Sequence, residues 1–359
     1  MSSYLALSFG LEMEFLLKPK PSVAANLLSH GFDPNITPSS GDETAKDLNR
    51  RALRKVIAAV LVGYGVPAGT RSDGYTSWTI SDEISLDERP GFWRCEMVSR
   101  VLETNTAWQA EIDQVFDILL KICDILLTPG CSMHVHVSPE RDRKYNMDEL
   151  KRMLKGIIYY DSAMTKIMPA DRKENEWAKS NVEAFPAWNA AVAQVPARSW
   201  APIFDEFDKH TMKATLLLGL CDDRYVSWNF SNVLGGCGSI EFRRAPGIKR
   251  SAEAKHWVAI AVGYAAFSLT VQDWDTVRST KTLPTTNALR EAINKGVQTL
   301  GPMSQGALGA MPDINAAPRP VTAEELARIN QKKKEKAKKL SVFAEKVLSR
   351  PNTPTPGMG

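Results

Sequence analysis

The chain has 359 residues, of which 43% are hydrophobic and 24% charged, and its formal net charge at pH 7 is +4. These values are normal for a globular protein with a sizeable core, and the small net charge argues against nucleic acid as the main partner. The five cysteines are odd in number and lack paired-ligand spacing, which favours a reduced cytoplasmic setting over a disulfide framework. We expect no signal peptide, because no basic segment precedes the first strand. The longest apolar run, Trp257 to Val271, is too short to span a bilayer and predicts a buried helix.

The first predicted strand, Leu7 to Phe15, alternates apolar side chains with Glu12 and Glu14. Successive side chains of a strand point to opposite faces, so both carboxylates share one face. A less regular strand, Trp93 to Val98, adds Glu96. For any single strand, one polar face is also the ordinary pattern of a sheet wetted on one side.

Two histidines stand out in the segment Cys131 to Pro139. As a strand, it places His134 and His136 on one face, about 6.6 Å apart, with apolar residues behind them. Further along the chain, Glu241 and Arg243 share a face of another short strand, and Asn229 lies on the strand before it. Carboxylates converging within about 4 Å would repel by about 4 kcal/mol per pair at an effective dielectric of 20. The pattern therefore predicts a site for divalent cations, for which carboxylate oxygen and neutral imidazole are suitable ligands.

Helical patterns separate these strands. Asp42 is a predicted cap for a helix that runs to Val62, and Asn105 to Leu127 forms a second amphipathic pattern. Strand groups around long helices predict an α+β domain with a largely antiparallel sheet. The acidic segment after Trp78 to Ser81 is interpreted as a solvated loop; its carboxylates are Asp82, Glu83, Asp87 and Glu88.

The chain is predicted to divide into four parts. Residues 1–278 form the catalytic domain, 279–320 a connector that contains Gly and Pro, 321–350 a basic helical segment, and 351–359 a disordered tail. Within the connector, Thr286 to Thr299 has the pattern of a further helix. A basic run is most often a solvated face; the alternatives are a lid over an anionic substrate and a partner-binding arm.

Four motifs in order resemble the amidoligase family of the carboxylate–amine ligase superfamily, which includes glutamine synthetase and glutamate–cysteine ligase. They are Gly10-Leu11-Glu12-Met13-Glu14-Phe15, Glu96-Met97-Val98-Ser99, His134-Val135-His136-Val137-Ser138 and Ile240-Glu241-Phe242-Arg243. Weaker matches are Pro169-Ala170-Asp171-Arg172-Lys173-Glu174-Asn175 and Arg224-Tyr225 followed by Asn229. The resemblance covers about residues 4 to 275 and implies a glutamine synthetase-like catalytic domain with a curved sheet.

The resemblance also implies ATP-dependent amide formation, with small carboxylic acid and amine substrates. It assigns one Mg²⁺ to Glu14 and Glu96, and the other to Glu12, His134 and Glu241, with Mn²⁺ as an alternative metal. Arg243 would neutralise phosphate oxygens and His136 would donate to them. Asn229 is a further candidate for cofactor binding, and Arg172 for clamping a carboxylate or phosphoryl group.

The sequence departs from the family pattern in three places. Ser99-Arg100 stands where amidoligases usually have Ser-Pro. Thr104, with Glu103 beside it, stands where glutamine synthetase has a third carboxylate on the first metal. No ammonia-binding Asp loop can be mapped, so ammonia and bulkier amines both stay open as substrates.

Two other classes of protein are alternatives. The spacing His134-x-His136-x-x-x-Glu140 matches the first half of a cupin metal motif, but the second half is missing and the helices are too many. A non-catalytic relative that binds ATP and metal is the other alternative. The complete set of convergent carboxylates argues against it.

Overall fold

The computed structural model describes residues 4–141, 143–220 and 223–348. The strands are β1 (Leu7–Pro19), β2 (Ala68–Gly69), β3 (Trp78–Ser81), β4 (Trp93–Val98), β5 (Leu102–Glu103), β6 (Cys123–Leu126), β7 (Ser132–Pro139), β8 (Trp228–Asn229) and β9 (Ile240–Pro246). The helices are α1 (Ala24–Ser29), α2 (Glu43–Gly63), α3 (Trp108–Ile122), α4 (Met147–Lys166), α5 (Ala170–Lys173), α6 (Asn181–Ala184), α7 (Pro186–Ala193), α8 (Val195–Arg198), α9 (Ala201–Lys209), α10 (Lys213–Leu220), α11 (Ser251–Ala266), α12 (Asp275–Arg278), α13 (Thr286–Thr299) and α14 (Ala323–Leu348).

The strands form one open sheet in the order β2-β3-β4-β1-β7-β9-β8, and β5 and β6 also pair with β1. All of these pairings are antiparallel except that of β2 with β3. The mixed helix and sheet composition and the largely antiparallel sheet confirm that part of the predicted fold. The central strand is β1, whose length lets it pair with four other strands.

One face of the sheet is apolar and carries the core. On β1 the inward side chains of Leu7, Leu11, Met13 and Phe15 are fully buried, and α11 packs against β1 and β7. The predicted buried helix from Trp257 is present as α11, which ends in a π-helical turn at Phe267–Val271. With this face covered by helices, the polar side chains of the same strands share the opposite face.

The helix predictions hold with one correction. Asp42 caps α2 by accepting hydrogen bonds from the backbone N–H groups of Thr44 and Ala45, both at 3.0 Å. The predicted helix to Leu127 instead ends at Ile122, and β6 follows it at once and pairs with β1. The last residues of β1 lie beyond its pairing with β7, and their backbone N–H and C=O groups need other partners. Cys123–Leu126 forms a strand that provides them.

The chain divides into two compact units, Met1–Pro318 and Arg319–Gly359. The helix predicted between residues 286 and 299 is present as α13 and belongs to the first unit, where it packs on α11. In the second unit α14 occupies the predicted basic helix. The predicted disordered tail, residues 351–359, lies outside the described residues.

The contact between α11 and α13 depends on two glycines. A Cβ added at Gly296 would lie 1.7 Å from the carbonyl oxygen of Gly263, so only glycine permits this approach. We expect Gly296→Ala to lower the free energy of unfolding by about 3 kcal/mol or more, because the two helices must move apart. Gly63→Ala is the matched control, since its added methyl group meets nothing within 4 Å. Denaturant unfolding measures both, and equal stabilities would contradict the packing argument.

Candidate active site

Antiparallel register brings the predicted ligands of three strands side by side. Glu14 on β1 pairs with Glu96 on β4, and Glu12 on β1 pairs with His134 on β7. Directly paired residues point to the same face with their Cβ atoms about 5 Å apart. The alternation within β1 therefore places both carboxylates on one face, and the strand register determines which side chains lie beside them.

The same rule extends the polar face to the other edge of the sheet. His136 on β7 pairs with Glu241 on β9, which in turn pairs with Asn229 on β8. The Asn229 amide nitrogen donates to a Glu241 carboxylate oxygen at 2.7 Å, and its carbonyl oxygen accepts from the Ser231 backbone at 2.9 Å. Asn229 thus orients the carboxylate of Glu241.

The first group of carboxylates contains Glu14, Glu83 and Glu96. One oxygen from each lies within 4.8 Å of the other two, and the side chains of Glu14 and Glu83 are buried. The sequence analysis named Glu14 and Glu96 as ligands but interpreted Glu83 as part of a solvated loop. The structure instead buries Glu83 beside them, because it follows β3 and Ser81 pairs with Glu96.

Ion pairs hold the loop that carries Glu83. Its neighbour Asp82 accepts two hydrogen bonds from the Arg94 guanidinium, at 2.8 and 3.1 Å. Further along the loop, Glu88 lies 3.4 Å from the buried guanidinium of Arg50. Asp82 and Glu88 serve as anchors, which leaves Glu83 to face the sheet.

The family pattern places a third carboxylate at Thr104, with Glu103 beside it, and neither residue belongs to the group of Glu14 and Glu96. Thr104 is fully buried, and its hydroxyl accepts a hydrogen bond from the backbone N–H of Leu7 at 3.0 Å. Glu103 pairs with Ser8 on β1 and is not a member of the group formed by Glu14 and Glu96. Among the described residues, Glu83 is the third carboxylate that lies with Glu14 and Glu96.

The second group contains Glu12, His136 and Glu241, again with ligand atoms within 4.8 Å of one another. His136 Nε2 lies 3.1 Å from Glu12 and 3.8 Å from Glu241. The predicted ligand His134 is at least as close, with Nδ1 3.0 Å from Glu12 and 3.3 Å from Glu241. Both imidazoles therefore border the same two carboxylates.

The two groups differ in charge balance. Burial raises the pKa of Glu96 well above its usual value, and repulsion from Glu12, Glu83 and Glu14 adds to this effect. Burial also raises the pKa of Glu12, but attraction from His136 and His134 outweighs it and holds that pKa low. The charged form of Glu96 is thus disfavoured in the first group, while histidine favours the charged form of Glu12 in the second.

Histidine and arginine complete the second group. Burial lowers the pKa of His136, but attraction from Glu12 and Glu241 outweighs it and raises the value to about 9. Arg243 is buried, donates to the Glu241 carboxylate, and also donates to the carbonyl of Trp177 at 3.3 Å. Cationic groups thus lie directly beside the carboxylates.

Arg172, on α5, is bonded to the backbone of β9. Its buried guanidinium donates to the backbone carbonyls of Arg243 at 2.6 Å and Arg244 at 3.3 Å. Arg244 reciprocates by donating to the Arg172 carbonyl at 3.1 Å. These bonds tie α5 to β9, so in this structure Arg172 supports the strand that carries Arg243.

Ser132 links Glu14 of the first group to His134, which borders the second, and the sequence analysis did not name it as a site residue. Its backbone N–H and its hydroxyl contact the same Glu14 oxygen, at 3.0 and 2.7 Å, and the hydroxyl also lies 3.0 Å from His134 Nε2. Its place in the alternation, two residues before His134, was the available signal.

Removal of the Ser132 hydroxyl should weaken metal binding without unfolding the chain. We expect Ser132→Ala to raise the Kd for Mn²⁺ by about 10- to 100-fold, the usual cost of losing a group that orients ligands. Isothermal titration measures this change. Ser138→Ala, farther along the same face, is the control, and an unchanged Kd in Ser132→Ala would show that Glu14 and His134 are oriented without it.

The comparison with family models gives a match over residues 5–264, to the family described as "Putative amidoligase enzyme". The match covers well over half of the chain, and the chain belongs to this family. The family description indicates an enzyme of the ligase class. The comparison with curated proteins gives no match.

None of the helices in the described ranges is long and apolar enough to cross a membrane.

The cupin alternative loses the third residue of its motif. Glu140 is exposed after the end of β7 and belongs to neither group of candidate ligands.

Proposed function

We propose that this chain is an ATP-dependent, ADP-forming carboxylate–amine ligase with a glutamine synthetase-like catalytic domain. The observation that carries the proposal is the pair of three-residue ligand groups, Glu14–Glu83–Glu96 and Glu12–His136–Glu241, side by side on one face of the sheet. A binding module has no need for so many converging carboxylates. An enzyme that holds a polyphosphate through bound cations needs carboxylates to bind those cations.

The residues of both groups fit divalent cations. Glu14, Glu83 and Glu96 offer only oxygen atoms, which suits Mg²⁺. The second group combines Glu12 and Glu241 with an imidazole, and both His134 and His136 border these two carboxylates. We assign His134 as the metal ligand, because its Nδ1 lies closer to them, at 3.0 and 3.3 Å, than His136 Nε2 does, at 3.1 and 3.8 Å. The mixed donor set also accommodates Mn²⁺. When bound, the cations supply charge neutralisation for the phosphates of ATP.

The remaining groups have separate roles in this proposal. The Arg243 guanidinium would stabilise negative charge on the transferring phosphoryl oxygens, and the His136 imidazole would donate a hydrogen bond to them. A carboxylate is a poor acceptor for an amine, so the substrate acid would first attack the γ-phosphoryl group. The resulting acyl phosphate would then react with the amine, and phosphate would leave.

Hydroxylamine in place of the amine tests the proposal. With pools of candidate acids, ATP and Mg²⁺, we expect a hydroxamate to form together with equal amounts of ADP and phosphate. Mass spectrometry of the hydroxamate identifies the acid. Arg243→Met is the matched variant, since it keeps much of the side-chain volume and removes the charge. Amide formation without nucleotide consumption would contradict the proposal.

A further inference from the structure

A cavity of about 340 Å³ lies in the helical layer, away from the polar face of the sheet. Its walls come from α4, α12, α13 and the π-helical turn Phe267–Val271. α13 packs on α11, which packs against β1 and β7 on the apolar side of the sheet. The cavity therefore lies across the sheet from both ligand groups, and its volume is typical of a small-molecule site, about 300–1,000 Å³.

Two opposite charges line the cavity one helical turn apart. Glu291 and Lys295 both lie on α13, and a Glu four residues before a Lys is the order that favours an ion pair on a helix. Nevertheless, neither side chain has a hydrogen bond or an ion pair with another residue in the described ranges. Both residues are exposed, so the carboxylate and the ammonium group are both available to a ligand that enters from solvent.

The buried wall of the cavity carries a phenol without a partner. Tyr160 lies on α4, lines the cavity and is only 6% exposed. Its hydroxyl makes no hydrogen bond within the part of the chain that the structure describes, although buried polar groups normally have a partner. Burial raises the pKa of Tyr160, so the phenol is neutral and can donate. A polar atom of a ligand in the cavity would satisfy it.

Apolar side chains complete the walls between these polar groups. Phe267 packs edge-to-face on Tyr160, with ring centroids 6.2 Å apart. On the opposite wall, Ala288 and Ala292 of α13 present only methyl groups, and larger side chains there would fill the space. The cavity thus combines an acidic group, a basic group, a phenol and an apolar wall.

The third charged residue of the lining is engaged within the wall itself. The Asp273 carboxylate accepts a hydrogen bond from the Asp275 backbone N–H at 3.0 Å, at the start of α12. The Asp273 carbonyl accepts from the Gln272 side chain at 2.6 Å and from the Thr276 hydroxyl at 2.7 Å. These bonds hold the turn that follows the π-helical segment, and π-helical turns are frequent at functional sites. Glu291 and Lys295 are therefore the charges that select a ligand.

We propose that this cavity binds a free amino acid with an apolar side chain. The ammonium group of the ligand pairs with Glu291 and its carboxylate pairs with Lys295, while the Tyr160 hydroxyl supplies a further hydrogen bond. The apolar side chain of the ligand packs against Phe267 and the α13 alanines. A molecule with only one charge would leave the other α13 charge without a partner, so the zwitterion is the favoured class. This inference does not depend on the proposed ligase activity.

Titration with L-leucine, followed by ligand-observed NMR, tests the site. We expect the wild type to bind L-leucine with a Kd on the order of 1 mM, as suits a ligand of that size. Glu291→Gln and Lys295→Met should each raise the Kd by about tenfold, because each removes one charged partner. Ala288→Leu should abolish binding, since the larger side chain occupies the space for the ligand. N-acetyl-L-leucine and L-leucinamide each lack one charge and should bind about tenfold more weakly.

Lys281→Met is the matched control, since Lys281 is exposed and lies outside the cavity, and it should keep the wild-type Kd. Arg243→Met should also keep it, because Arg243 lies beside Glu241 in the proposed active site. No binding of L-leucine, L-methionine or L-phenylalanine at roughly 10 mM would overturn the proposal. Binding that is lost in Arg243→Met and unchanged in Lys295→Met would overturn it as well, since the amino acid would then occupy the proposed active site.

Discussion

Replacement of Glu83 by glutamine is expected to lower turnover by about a thousandfold, equivalent to about 4 kcal/mol in the barrier. Glu83 is buried and its carboxylate lies with those of Glu14 and Glu96. The amide keeps the size of the side chain and removes the charge that a cation requires. The fold should survive, because Asp82 and Glu88 still anchor the loop through Arg94 and Arg50.

Asp87→Asn provides the matched control for this prediction. Asp87 is exposed in the same loop, so its loss of charge should leave turnover unchanged. Titration with Mn²⁺ gives a second readout, because Glu83→Gln should bind one ion fewer than the wild type. Wild-type turnover and ion stoichiometry in Glu83→Gln would remove Glu83 from the site.

Glu96→Gln is expected to lower turnover by a similar factor, about a thousandfold, and to stabilise the metal-free protein. Glu96 is held close to two other carboxylates, and burial and repulsion both disfavour its charged form. Glutamine removes that charge and still accepts the hydrogen bond that the Ser81 hydroxyl donates to Glu96 at 2.7 Å. With metal chelated, the free energy of unfolding at neutral pH should rise by about 1–3 kcal/mol.

Glu103→Gln is the control for this second prediction, since Glu103 is a partly buried carboxylate outside both ligand groups. It should gain no stability and lose no turnover. Denaturant unfolding in the presence of a chelator gives the comparison. A fall in the stability of Glu96→Gln would indicate that Glu96 is a structural hydrogen-bonding group instead of a strained ligand.

Alternation in the sequence predicted which side chains of a strand share a face, and the structure agrees for β1, β7 and β9. Glu12 and Glu14, or His134 and His136, need only local geometry for this inference. The boundary between α3 and β6 was predicted wrongly, because Cys123–Leu126 continues a helical pattern in apolar residues. This segment is a strand because it pairs with β1, about 100 residues earlier in the chain. A pattern within the segment itself cannot show that pairing.

The candidate site was harder to predict where loops contribute to it. Glu83 follows β3 in a turn, where no periodicity assigns a side chain to a face, and its acidic neighbours suggested a solvated loop. Burial beside Glu14 depends on the pairing of β3 with β4 and on the arginines that hold Asp82 and Glu88.

Isotope transfer from the acid to phosphate tests the proposed chemistry most directly. The acid identified through its hydroxamate is prepared with ¹⁸O in the carboxylate and supplied with ATP, Mg²⁺ and hydroxylamine. Activation as an acyl phosphate predicts that one labelled oxygen appears in the released phosphate, together with unlabelled ADP. Release of AMP and pyrophosphate, with the label in AMP, would contradict the account.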